Sequence, residues 1–147
     1  MALKFGSVSG LLPKGEHPVT WDEVVQLCGF SHRRRELLQG LLRGAYALRE
    51  AGVRELFIDG SFSTKKHNPT DYDCCYDTND VNYDLLDPVL DDFENERARM
   101  KEKYHGEFLP AYAAANWPER EPYRTFFQHE KNGRPKGILV LDLATLP

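Results

Sequence analysis

Two aspartates, Asp71 and Asp73, stand one residue apart at the head of the apolar stretch Cys74-Cys-Tyr76. In an extended strand residues i and i+2 project to the same side, so the two carboxylates share one face. Side by side they repel each other unless a proton or a cation lies between them. Upstream, Leu56-Phe-Ile58 leads through Asp59 into the turn Gly60-Ser61, and nine residues, Phe62 to Thr70, separate that turn from Asp71. Hard oxygen ligands on a strand beside a Gly-Ser turn suit Mg²⁺, or Mn²⁺ in its place, carrying a phosphate chain.

Phosphoryl transfer with two metal ions draws on a third acid from a neighbouring strand. The candidate is Asp142, set between Leu141 and Leu143 in a run that is otherwise apolar from Gly137 onward. A charge there is costly to bury without a metal or a paired cation. Asp59 reads as a turn-capping residue. Lys65, Lys66 and His67 offer positive charge to phosphates, although exposed loop charges are commonly just solvated. Arg33, Arg34 and Arg35 fall in the first turn of a helix, where cations oppose the macrodipole; the mismatch points to an anion or RNA contact, with a solvated face the simpler account.

The elements that must carry these residues follow from local patterns. Residues 1–18, with Gly10, Pro13, Gly15 and Pro18, read as an extended arm. Thr20-Trp-Asp-Glu23 is a capping box and predicts a helix from Trp21 to about Cys28. Ser31 caps a second helix whose apolar positions Leu38, Leu41, Leu42, Ala45 and Leu48 keep helical spacing, with Gly52 as its stop. Val53–Asp59 and Tyr72–Tyr76 read as strands. Asp87-Pro88 opens a third helix with Val89, Phe93, Met100 and Tyr104 on one face. Ala111–Ala115 suggests a helical turn, and Arg124–His129 fits helix or strand. Asn132-Gly133 turns the chain into the strand Gly137–Leu143. Helices before and between strands predict an α/β (α+β) fold, a mixed β-sheet with helices packed on it.

At 147 residues the chain fits one domain, and 41% apolar with 29% charged residues is the balance of a soluble globular protein. A net charge of -4 argues against nonspecific coating of nucleic acid. Cys28, Cys74 and Cys75 form no CxxC pair, which leaves zinc and disulfides unsupported and favours a reducing cytoplasm. No apolar run approaches membrane-spanning length, so no membrane partner is expected. The acids from Asp77 to Glu96 suit a partner surface or helix starts, and the aromatics Trp21, Trp117, Tyr123 and Phe126 suit stacking on a base or core packing; the structural reading is the default for both.

Gly60-Ser61, Asp71-Tyr-Asp73 and Leu141-Asp142-Leu143 together resemble the signature of the polymerase-beta-like nucleotidyltransferase superfamily. Leu12-Pro13, Gly15, His17, Asp59-Gly-Ser-Phe-Ser-Thr-Lys65, Pro69 and Lys136-Gly-Ile138 are further similar to a small bacterial and phage nucleotidyltransferase-like family of unknown function. The resemblance implies transfer of a nucleoside monophosphate from a nucleoside triphosphate to a protein or tRNA acceptor. It implies metal ligation by Asp71, Asp73 and Asp142, and nucleotide binding by Gly60, Ser61, Ser63, Lys65 and Lys66. It also implies a setting in a toxin–antitoxin or phage-defence pair. The segment Phe62-Ser-Thr-Lys-Lys-His-Asn-Pro-Thr70 departs from the superfamily, which starts a helix after its Gly-Ser turn. An inactive binding or antitoxin module is the alternative reading, and a metal-dependent nuclease the third.

Overall fold

The computed structural model describes residues 3–147, and for Ser61 the backbone only. Strand β1 (Glu16–Val19) runs into helix α1 (Trp21–Cys28). There Thr20 Oγ1 accepts from Glu23 N–H at 3.2 Å and Glu23 Oε1 accepts from Thr20 N–H at 3.0 Å, the reciprocal cap expected from the sequence. Helix α2 (His32–Glu50) starts on Ser31, whose hydroxyl accepts from Arg34 N–H. It ends just before Gly52, whose φ of +104 the following turn requires.

Strands β2 (Glu55–Asp59) and β3 (Tyr72–Tyr76) lie close to their expected bounds, as does the last strand described below. Asp87 caps only a short 3-10 turn, Pro88–Asp91. Helix α3 (Glu94–Tyr104) begins separately, so Met100 and Tyr104 are buried while Phe93 remains 40% exposed. Strand β4 (Gly106–Pro110) follows at once. No helix forms over Ala111–Ala115. The ambiguous stretch after it resolves into a four-residue helix, α4 (Tyr123–Phe126), and strand β5 (Ile138–Asp142) closes the sheet.

The five strands form one mixed sheet in the order β1-β5-β2-β3-β4, with helices packed on it: an α/β fold. β2 is antiparallel to β3 and β5, while β1 runs parallel to β5 and β4 parallel to β3. Both edge strands lie where the sequence suggested none. β1 occupies the end of the supposed extended arm, and its Pro18, lacking a donor, is tolerated at an edge. β4 is bounded by Gly106 and Pro110 and is too short to show a clear alternation.

Alternation across the sheet separates two cores. Leu56, Ile58, Cys74, Tyr76, Phe108, Leu139 and Leu141 face α1, α2 and α3 in the larger one. Phe57, Cys75, Leu109, Ile138 and Val140 face the other way, beneath Ala111, Tyr123 and Phe127. The smaller core thus lies under the segment 111–136. Gly44 of α2 is needed for the close approach of β4, because a Cβ there would lie 2.4 Å from the Phe108 ring.

Candidate metal centre and cleft

Strand register builds an acidic row. Asp59 of β2 lies opposite Asp73 of β3, which lies opposite Glu107 of β4. Each is two residues from a member of the smaller core (Phe57, Cys75 and Leu109), so all three project from that same face. Asp71, just before β3, turns to the same side. One carboxylate oxygen each from Asp71, Asp73 and Glu107 falls within 4.8 Å of the others, an arrangement able to hold a metal ion.

The electrostatics fit such a cluster. Burial, then Glu107, Asp71 and Asp59, push the Asp73 carboxyl from its ordinary 3.8 up to about 7, with Lys136 opposing. Asp71 is raised by burial and by Glu107, against Lys101, Arg33 and Lys66. Crowded carboxylates facing low dielectric gain from any cation that bridges them. Glu107 already has protein cations: Lys101 Nζ lies 3.0 Å from Oε1 and Arg97 Nε 3.2 Å from Oε2. Arg97 is the last of three successive residues in the left-handed region, after Asn95 and Glu96. Asp59 is buried and keeps its turn role through the Gly60 backbone and the Ser63 hydroxyl, and in addition Lys136 Nζ lies 2.7 Å from its Oδ1. Burial raises its pKa and Lys136 opposes the rise.

Gly60 fixes the turn beside this row. Its φ is +79, and a Cβ would stand 2.6 Å from Asp73 Oδ2. Glycine therefore answers both the backbone conformation and the closeness of a carboxylate. Ser63 is buried and its hydroxyl donates to Gly60 O at 3.2 Å, so it holds the turn together rather than lining the cleft. The predicted role of the Ser61 side chain lies outside the described residues. Lys65 borders a separate groove with Leu3, Phe5 and Phe30. Lys66 is exposed and acts on Asp71 through its charge.

Asp142 does not join the acids. It extends from the same face as Asp73, as alternation requires, but β5 runs antiparallel to β2 and places it opposite Glu55. Four residue steps along β2 separate that position from Asp59, about 13 Å of strand. There Asp142 Oδ1 accepts from Ala144 N–H at 2.9 Å and caps a short 3-10 turn. The third acid is Glu107. Its sequence signal, an acid between Gly106 and Phe108 directly after a helix, was too short to identify as a strand.

The loop between Gly-Ser and Asp-x-Asp is held from beneath. Arg34, fully buried, donates to the carbonyls of Cys28, Phe62, Thr64 and Lys66, and its guanidinium lies 4.2 Å from the Phe30 ring centroid and 5.2 Å from that of Phe62. Arg33 donates to the carbonyls of Pro69 and Thr70, and Ser31 to that of His67. Arg33 and Arg34 are thus loop anchors and not a solvated face, whereas Arg35 is exposed and donates to Gly29 O at 3.2 Å.

A cleft of about 920 Å³ opens over Asp59, Gly60 and Asp73. Thr64 and Lys136 border it, and its opposite wall comes from Glu121, Phe126 and residues 129–133. That volume is in the range of small-molecule sites. Among the described residues no helix is long and apolar enough to cross a membrane.

Fold and site together define an α/β protein with a three-carboxylate cluster at the edge of a cleft. Residues 3–142 match the model of DUF6932, a family of unknown function, and the chain belongs to that family. No curated protein and no solved structure matches it.

Proposed function

We propose that the protein is a Mg²⁺-dependent nucleotidyltransferase, moving a nucleoside monophosphate from a triphosphate to a hydroxyl of a protein or RNA. The convergence of Asp71, Asp73 and Glu107 beside the Gly60 turn carries this reading. These three carboxylates would hold Mg²⁺ or Mn²⁺, which when bound neutralises phosphate charge and acidifies the attacking hydroxyl. The hydroxyl oxygen forms a bond to the α-phosphorus as its proton passes to water in the cleft, the bond from the α-phosphorus to the oxygen bridging to the β-phosphate breaks, and pyrophosphate leaves with that oxygen's electron pair. Lys136, at the cleft beside Gly60, is placed to meet phosphate oxygens. Asp59 keeps its ammonium from wandering. The resemblance to small nucleotidyltransferases of toxin–antitoxin and phage-defence pairs supports a cytoplasmic partner protein or tRNA as acceptor.

A second reading has one observation in its favour. Both oxygens of Glu107 lie in ion pairs with Arg97 and Lys101, which can satisfy the cluster without a metal and leave a binding or antitoxin module. Each labelled nucleoside triphosphate, incubated with Mg²⁺, a cell lysate and the protein, separates the two. Label appearing on protein or RNA with the wild type, and not with Asp71→Ala/Asp73→Ala, supports the transferase. Metal binding without transfer supports the module, and RNA cutting that needs no triphosphate supports a metal-dependent nuclease.

A further inference from the structure

The cleft has two chemically different ends. Its floor carries Asp59, Asp73, Gly60 and Lys136, while its outer wall carries, beside the charged Glu121, Glu130 and Lys131, the Phe126 ring, 42% exposed, and the His129 imidazole. Phe126 and His129 are three residues apart, at the end of α4 and just beyond it, and both border the cleft. α4 is held in place by the smaller core, since Tyr123 and Phe127 pack edge to face at 5.7 Å between centroids and Phe127 is buried. Phe126 is therefore a ring presented to open space by a helix whose neighbouring rings are anchored. A ligand bound through phosphates at the floor would have this ring within the same cleft.

We propose that Phe126, backed by His129, is the stacking surface for the base of a nucleoside triphosphate whose phosphates lie over the acidic row. This rests on the nucleotidyltransferase reading and adds its base subsite. Every base presents a π face, so the surface tolerates purines and pyrimidines and favours the larger purine rings. The wall supplies what the floor lacks, since carboxylates, metal and Lys136 recognise only phosphate.

The test compares Mg²⁺-supported binding of ATP, CTP and inorganic tripolyphosphate by calorimetry, using wild type, Phe126→Ala, Phe126→Tyr and His129→Ala. Wild type should bind ATP more tightly than tripolyphosphate by about 5- to 150-fold, the usual yield of one stacked base. Phe126→Ala should lose most of that advantage and leave tripolyphosphate binding unchanged; Phe126→Tyr should retain it. His129→Ala should reduce it to a smaller extent. Tripolyphosphate binding with no advantage for ATP, or an advantage that survives in Phe126→Ala, overturns the base subsite and leaves the phosphate site standing. An equal loss of ATP and tripolyphosphate in Phe126→Ala also overturns it, because the ring would then support the floor. No binding of any of the three overturns both this inference and the reading beneath it.

Discussion

Replacing Asp73 by Asn should make the metal-free protein more stable. Asn preserves the side-chain shape and removes the charge that Glu107, Asp71 and Asp59 oppose. In the folded chain the Asp73 carboxyl keeps its proton to about pH 7, whereas its ordinary value is 3.8. The native state therefore binds the extra proton between those values, and the stability of the wild type falls as pH rises through that window. At about 1.36 kcal/mol per pH unit, the interval sets an upper limit of about 4 kcal/mol. The cleft keeps part of the carboxyl in contact with solvent, which reduces the expected gain to about 2 kcal/mol. In thermal unfolding with EDTA at pH 8 the variant should melt about 4–8 °C above the wild type. The advantage should shrink as pH falls towards 3.8. Excess Mn²⁺ should raise the wild-type midpoint and leave the variant nearly unmoved, because only a native state that binds the ion gains from it. A variant no more stable than wild type at pH 8 in EDTA would refute the claim that these carboxylates strain the fold.

Three further outcomes follow from the same geometry. Glu107→Gln should weaken Mn²⁺ binding more than about tenfold in a calorimetric titration, while Asp142→Ala should leave it unchanged and cost about 1 kcal/mol of stability through the lost cap. Gly60→Ala should lose about 1–2 kcal/mol from the left-handed backbone and, by displacing Asp73, about tenfold in Mn²⁺ affinity; wild-type affinity would show that the Gly60–Asp73 contact does not set the ligand's position. Lys136→Met leaves Asp59 buried and unpaired and should cost about 3 kcal/mol in urea unfolding, most of it recovered in the Asp59→Asn/Lys136→Met double variant.

Local signals were legible wherever a few neighbouring residues decide the outcome. The Thr20–Glu23 cap, the Ser31 start of α2, the strand carrying Asp71-x-Asp73 and the strand before Asp142 all depend on contacts within one turn or on alternation. Arg33 and Arg34 were visible as a conflict with the helix dipole, but the carbonyls that resolve it belong to a loop some 30 residues away in sequence, as in the 32-residue separation of Arg34 and Lys66. β1 and β4 escaped notice because a short edge strand is defined by the partner it pairs with rather than by its own composition.

The sequence by itself determined the Gly60 turn, the shared face of Asp71 and Asp73, and even the face from which Asp142 projects, because the period of a strand is local. Only the tertiary structure decided which acids meet. Strand direction sends Asp142 to the far end of the sheet, and parallel pairing of β4 with β3 brings Glu107 beside Asp73. The reason is physical: alternation fixes which side a residue faces, whereas direction and register are set by long-range pairing that no single strand encodes.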